Sequence, residues 1–120
     1  MKMIKILTWI LISSCTTATI YNAVPEQCNE HPSVTASGRV IDLNQVGDLR
    51  IVAMERTMMQ RNGIAYGDTI LVKGAGVYDG EWVVEDTMHP RFAGQDKVDF
   101  LVPEDVRTGR WENVEIYKRK

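Results

Sequence analysis

Short apolar runs broken by glycine and aspartate make up most of the chain after residue 32. Apolar and polar positions alternate along several of these runs, and no stretch shows convincing helical spacing over three turns. The pattern predicts six strands, at residues 33–41, 49–56, 69–76, 81–86, 97–103 and 111–120. No helical pattern between them has the length of the crossover helix that a parallel βαβ unit requires. The chain is therefore predicted to be all-β, and a small barrel is favoured because closure removes exposed edges.

One segment between the second and third predicted strands is ambiguous. Residues 56–68 contain good helix formers, but Asn62-Gly63 and residues 65–68 are typical of turns. Met58 and Met59 are interpreted as filler of the core, where methionine adapts to irregular space.

The first 32 residues follow a different pattern. Lys2 and Lys5 precede a short apolar run, which is followed by small residues up to Cys15. This order is typical of an export signal, and the apolar run is shorter than the roughly 20 residues that span a bilayer. We predict a leader at 1–14, a linker at 15–32 and one domain at 33–120.

Three outcomes of the leader are open. Residues 12–15, with the sequence Ile-Ser-Ser-Cys, resemble a bacterial lipobox, which predicts lipidation of Cys15. The small residues at 16–18 offer ordinary signal peptidase a site, and the product is then periplasmic or secreted. The third outcome is an uncleaved anchor. The lipobox favours an exported lipoprotein of the cell envelope that contacts the membrane only through its lipid, which needs more than one acyl chain to hold.

Charge and cysteine content narrow the class of protein. The chain has 14 basic and 16 acidic residues, a net charge of −2, and loss of residues 1–14 removes two lysines and gives 12 − 16 = −4. A nucleic-acid binder is more often basic, so no nucleic-acid partner is predicted. Cys15 and Cys28 are the two cysteines, so no disulfide framework remains once the leader leaves.

Six sequence pieces occur together in an order typical of one family. They are VTASG, RIVAMER, AYGDTILVKGAG, WVVEDT, VDFLV and VEIYK. Their succession over roughly residues 34–118 resembles the three-aspartate (3D) domain of murein transglycosylase A-like enzymes, and more distantly the rare lipoprotein A and expansin barrels. The resemblance implies a small six-stranded double-psi β-barrel that acts on peptidoglycan.

The resemblance also implies functional residues. The A-x-D-T piece of the family falls on Glu85-Asp86-Thr87, and its I-D-L/F piece falls on residues 98–100, which makes Asp99 the catalytic residue and Asp86 its partner. Glu55 holds the place of the first family aspartate, and Glu55 and Thr87 are expected to bind substrate.

One departure from the family pattern concerns the loop after Asp86. Met88 and His89 stand where family members commonly have two glycines. Their side chains are expected to narrow the groove or to re-aim the loop.

What glycan cleavage requires chemically can be stated independently of the family. Cleavage of a glycosidic bond needs a proton on the leaving oxygen. In a lytic transglycosylase the C6 hydroxyl of the sugar attacks, so one carboxyl group acts first as acid and then as base. Asp99 is predicted to take this role because the resemblance places the family's catalytic aspartate there, and Asp86 on a neighbouring strand would keep it protonated by like-charge repulsion. The alternative is that each aspartate only forms a turn.

Further binding residues are predicted around these aspartates. Tyr66 and Tyr78 lie in predicted turns and are candidates for stacking on a sugar ring. Arg91 is a candidate for binding a carboxylate of the peptide stem. Zinc needs three or four placed ligands, and His89 has no second His or Cys near it in sequence, so neither metal nor cofactor is predicted.

Three functions follow from these observations. The first is lytic transglycosylation of peptidoglycan with Asp99 as acid and base. The second is a non-catalytic barrel that binds cell-wall glycan or an envelope protein. The third is a phage-encoded or secreted inhibitor that uses the barrel as a rigid scaffold.

Overall fold

The computed structural model describes residues 8–22 and 33–120, and these form a closed six-stranded barrel. The strands are β1 (Trp9–Asn22), β2 (Ile51–Met54), β3 (Thr69–Lys73), β4 (Gly80–Thr87), β5 (Lys97–Val102) and β6 (Arg110–Arg119). They pair around the ring in the order β1-β5-β2-β4-β3-β6. The predicted all-β fold with a small six-stranded barrel is confirmed.

The strand order has an internal two-fold relation. When β1 is exchanged with β4, β2 with β5 and β3 with β6, every strand keeps the same kind of neighbours in the ring. The parallel pair β1–β5 then corresponds to the parallel pair β4–β2, and the antiparallel pair β1–β6 corresponds to β4–β3. This mixed pairing agrees with the double-psi arrangement that the family resemblance implied.

The first strand lies elsewhere than predicted. Residues 33–41 hold only an isolated bridge between Val34 and Val40, whereas Trp9–Asn22 pairs along its length with β5 and β6. The barrel therefore begins at Trp9 and not at residue 33.

This finding also corrects the predicted linker. Residues 15–22 are part of β1, and Thr16 and Ala18 within it are fully buried. The rest of the predicted leader and linker, residues 1–7 and 23–32 with Cys28, lies outside the described residues. Cleavage before Cys15 stays a prediction.

The buried side chains form two clusters on the two sides of the barrel wall. Alternate strand residues such as Val52 and Phe100 point inward and build the main core. Their neighbours Ile51 and Leu101 point outward and pack beneath residues that include Val46, on the 3-10 segment Leu43–Asp48. The outer wall of β1, β5, β2 and β4 is thus covered over part of its area.

The ambiguous segment at 56–68 forms one short helix and a turn. Helix α1 (Arg56–Asn62) ends at Gly63, which adopts the left-handed conformation with φ 64°. The Asn62-Gly63 pair is therefore a helix C-cap, where glycine avoids the cost of a Cβ. Met58 and Met59 on α1 are buried, as predicted. Within the described residues, no helix has the length and apolar character to cross a membrane.

Candidate functional site

Asp86 and Asp99 lie in one row of residues that crosses four neighbouring strands. Thr19 on β1 pairs with Asp99 on β5, Asp99 pairs with Ala53 on β2, and Ala53 pairs with Asp86 on β4. The residues before and after Asp99 point into the main core, so the Asp99 side chain faces outward. The prediction that Asp86 lies on a strand next to that of Asp99 is wrong, because β2 lies between β4 and β5. This separation places the two Cα atoms roughly 10 Å apart.

The Asp99 carboxyl is half-buried on this outer wall. It accepts a hydrogen bond from the hydroxyl of Thr19. Burial raises its pKa, the Thr19 hydroxyl and the Lys97 ammonium lower it, and the Asp86 carboxylate raises it further, with a net rise. A carboxyl with a raised pKa keeps its proton closer to neutral pH, as a general acid requires.

The Asp86 carboxyl is bound by more protein groups. Its Oδ2 accepts from the Tyr21 hydroxyl at 3.1 Å, and its Oδ1 accepts from the backbone amides of Ala36 at 3.1 Å and Thr87 at 3.2 Å. Burial raises the pKa of Asp86 by more than these three bonds lower it. Because the Ala36 amide belongs to the segment that follows residue 33, Asp86 fixes this segment to the wall.

Tyr66 contacts Thr87, the residue that follows Asp86 on β4. The Tyr66 hydroxyl donates to the hydroxyl of Thr87 over 3.3 Å, and the tyrosine is 42% exposed. An exposed ring whose edge is fixed by a hydrogen bond offers a flat surface beside polar groups. The structure thus joins two predicted binding residues to each other, but strand alternation places the Thr87 side chain on the face opposite to the Asp86 carboxyl.

On the Asp99 side, two cations surround one aromatic ring. The Arg91 guanidinium lies 4.7 Å from the centroid of the Phe92 ring, and Lys97 Nζ lies 4.2 Å from the same centroid. Lys97 is two residues before Asp99 on β5 and therefore shares its outward face. Arg91 was predicted, whereas Phe92 and Lys97 were missed. Strand alternation around Asp99 is the signal in the sequence that would have identified Lys97.

Glu55 is a buried cap of helix α1, which corrects its predicted role in substrate binding. It is 1% exposed and accepts from the backbone amides of Thr57 at 2.7 Å and Met58 at 3.0 Å, so it caps α1. Burial opposes its ionisation, but hydrogen bonds from the Thr57 hydroxyl and amide, with those from Met58 and Gly94, outweigh burial and lower its pKa.

Tyr78 is likewise a packing residue of the main core and does not serve as a sugar-binding surface. Its ring stacks on Phe100 with centroids 5.4 Å apart and meets the edge of Trp111 at 5.3 Å. These rings belong to the main core or pack against it. The predicted role of Tyr78 in sugar stacking is therefore replaced by a role in the core.

The loop that carries Met88 and His89 is held in a way the sequence did not predict. Met88 is buried in the outer cluster, so its side chain anchors the loop to the wall instead of narrowing the groove. His89 is exposed, and its Nδ1 accepts from the Arg91 amide at 3.1 Å. This bond caps the 3-10 turn Pro90–Phe92, which carries Arg91 and the Phe92 ring.

Neither metal ligation nor a disulfide is built by the described residues. Residues 8–22 and 33–120 contain no group of three His, Cys, Asp or Glu side chains placed to hold a metal ion. Cys15 is exposed on β1 with a free thiol.

Comparisons with known proteins leave the family of this chain open. No family model matches the chain, and no curated protein matches it. Among solved structures, the chain is similar to the crystal structure of the computationally designed msDPBB_sym2 protein, with 14% sequence identity and a TM-score of 0.39 over 87% of this chain and 99% of that one. The assignment of the barrel rests on the strand pairing, and the three-aspartate family is not confirmed.

Proposed function

We propose that this protein belongs to the cell envelope and cleaves the glycan strand of peptidoglycan by lytic transglycosylation, with Asp99 as acid and base. The observation that supports this function best is the Asp99 carboxyl itself. It is half-buried on the outer wall, it is oriented by Thr19, and its pKa is raised first by burial.

The reaction requires one carboxyl group that changes its role. The protonated Asp99 donates its proton to the glycosidic oxygen as the bond from that oxygen to C1 breaks. The resulting carboxylate then accepts the proton of the C6 hydroxyl as the C6 oxygen bonds to C1, which forms the 1,6-anhydro ring and restores the acid. A hydrolase needs a second carboxylate as nucleophile or as activator of water. Asp86 is engaged by Tyr21 and two backbone amides, so one available carboxyl favours transglycosylation.

The proposed location follows from the substrate and from the N-terminal sequence. Peptidoglycan lies outside the cytoplasmic membrane, and Lys2 and Lys5 before an apolar run are typical of an export signal. Lipidation of Cys15 would attach the barrel directly to the membrane surface, because β1 continues from this residue with no intervening linker.

A second function is favoured by a different observation. The carboxylate of Asp86 is occupied by protein donors, and the exposed Tyr66 ring lies beside Thr87. A fixed aromatic ring with adjacent hydroxyl groups binds sugar without any need for a proton donor. The barrel would then be a glycan-binding module of the envelope.

Digestion of murein sacculi separates these two functions. We expect the wild-type protein to release 1,6-anhydromuropeptides, detected by liquid chromatography and mass spectrometry. Asp99→Asn should reduce release by about 100-fold or more, because general acid catalysis contributes on this scale. The control is Asp105→Asn, the same change at an exposed aspartate, which should keep full activity.

Each remaining outcome is decisive. Undiminished release by Asp99→Asn would overturn the catalytic role of Asp99. Sedimentation of wild-type protein with sacculi, without any anhydro product, would favour the binding module.

A further inference from the structure

We propose that Arg91, Phe92 and Lys97 form a carboxylate-binding subsite beside Asp99, which selects peptidoglycan whose peptide stems carry free carboxylates over peptidoglycan whose stems are amidated. This inference rests on the proposed function, because it names the substrate chemistry of the same site. It is carried by the position of the two cations and by the acids they do not contact.

The arrangement places two like charges at one ring. Both cations lie within 5 Å of the Phe92 centroid, at 4.7 Å for Arg91 and 4.2 Å for Lys97. Attraction to the ring face holds each cation weakly. An anion bound at this ring would gain charge-assisted hydrogen bonds from the cations around it.

Neither cation forms a direct ion pair with a described acid, although the Lys97 ammonium acts at longer range on Asp99 and Glu112. In the described part of the chain, the arginines that form ion pairs with acids are others, namely Arg39, Arg61, Arg110 and Arg119. The side chains of Arg91 and Lys97 make no ion pair and donate no hydrogen bond among these same residues.

The subsite lies next to the acid. Lys97 and Asp99 share the outer face of β5 and are two residues apart, which places their Cα atoms roughly 7 Å apart. A sugar bound over Asp99 would therefore extend a substituent toward the two cations. Phe92 packs against the outer cluster and is the aromatic ring that both cations contact.

Occupation of the subsite would also act on Asp99. The Lys97 ammonium is one of the groups that lower the pKa of Asp99. A carboxylate bound to Lys97 would offset this charge and favour the protonated acid, which is the form that starts the reaction. Substrate with a free carboxylate would thus bind and prepare the acid together.

The test measures binding and not cleavage, so that it does not depend on turnover. The probes are one soluble muropeptide with free stem carboxylates and the same muropeptide with those carboxylates amidated. We expect full-length Asp99→Asn protein, which does not consume the probe, to bind the free form about tenfold more tightly by calorimetry, which is the scale of charged hydrogen bonds.

Added substitutions locate the preference on the protein. Arg91→Gln and Lys97→Gln should each reduce the tenfold preference, and both together should abolish it. The matched control is Lys73→Gln. Lys73 lies on β3, and its Nζ is 5.4 Å from the centroid of the Tyr117 ring on β6, so it makes the same kind of cation–ring contact away from the site. This control should keep the full preference.

The outcomes separate this inference from the proposed function. Equal affinity for the two probes, binding of neither probe, or a preference that survives the double substitution would each overturn the subsite. Release of anhydromuropeptides from sacculi with no such preference would leave transglycosylation standing and remove only the subsite. A preference for the free-carboxylate probe without any release of anhydromuropeptides would leave the subsite standing and remove transglycosylation.

Discussion

At the scale of single residues, Asp86 and Asp99 differ because of the groups around them. Both carboxyls have a raised pKa with burial as the first cause. Asp86 accepts hydrogen bonds from two backbone amides and a tyrosine hydroxyl, whereas Asp99 accepts one hydrogen bond, from a threonine hydroxyl. Asp86 is therefore committed to the wall and its covering segment, and Asp99 retains lone pairs for a substrate.

The raised pKa of Asp99 predicts that Asp99→Asn stabilises the barrel at neutral pH. The unfolded aspartate has a pKa of about 3.9. Above this value the folded state of the wild type binds more protons than the unfolded state, so its stability falls as pH rises through the raised folded pKa. The asparagine does not ionise, and its amide oxygen can still accept from Thr19. We expect the stability difference to be near zero at acid pH and to grow toward neutral pH.

Urea unfolding followed by circular dichroism from about pH 3 to about pH 8 checks this dependence. Asp86 and Lys97 also act on Asp99, so Asp105→Asn serves as a control for general charge effects. A difference that does not change with pH, or a variant that is less stable at neutral pH, would contradict the inferred environment of Asp99.

At the scale of elements, Glu55 shows how a junction sets the role of a side chain. Strand β2 ends at Met54 and α1 begins at Arg56, so the residue between them is the N-cap of the helix. Glutamate is not among the preferred N-caps, and for this reason the sequence did not identify it. Its family resemblance indicated a groove residue, whereas the adjacent helix makes it a buried acceptor.

We expect removal of this cap to lower the stability of the fold and to leave glycan binding unchanged. Glu55→Ala leaves the amides of Thr57 and Met58 without an acceptor, so we expect the free energy of unfolding to fall by about 1–2 kcal/mol. Because the folded pKa of Glu55 is lowered, this contribution is present above the unfolded pKa of about 4.3 and is lost as pH falls through the folded value.

Chemical denaturation at neutral pH and sedimentation with sacculi give the two readouts. The control is Glu81→Ala, which breaks an exposed ion pair with Arg119 and should cost less than about 1 kcal/mol. Normal stability together with lost sedimentation would restore the binding role that the sequence predicted for Glu55.

At the scale of the whole molecule, local pattern predicted five strands and the closed barrel, but it did not identify the sixth strand. Residues 33–41 alternate and contain β-branched residues, yet they form one bridge. Strand β1 carries three register shifts against β6, and its apolar start after Lys2 and Lys5 has the features of a leader. Long-range pairing decides between two such segments, and a local pattern contains no information about it.

The candidate site was predicted to the same degree and for the same reason. Asp86, Thr87 and Asp99 lie on strands whose positions the pattern gave correctly, and the Tyr66 hydroxyl reaches Thr87. The place of the Phe92 ring depends on how the loop after β4 folds back toward Lys97, which alternation along a strand does not encode.

The position of β1 predicts how the chain tolerates shortening. A chain that begins at residue 33 lacks β1 and leaves β5 and β6 each without one neighbour. Two exposed edges favour association between molecules over a closed barrel, so this chain should aggregate and show no cooperative thermal transition. A chain that begins at Cys15 keeps the six pairs between residues 17–22 and β5. It should fold cooperatively with a lower melting temperature, because Trp9–Ser13 no longer pair with β6.

Thermal unfolding and gel filtration of the full chain, the chain from Cys15 and the chain from residue 33 compare these cases directly. A cooperative, monomeric chain from residue 33 would contradict the assignment of β1 to the barrel and would restore the predicted domain boundary. Folding of the chain from Cys15 bears on export as well, because cleavage before Cys15 leaves this same chain. If it folds, a lipidated protein retains the wall that carries Thr19 and Asp99. If it does not fold, lipobox cleavage and the Asp99 site cannot both belong to one protein.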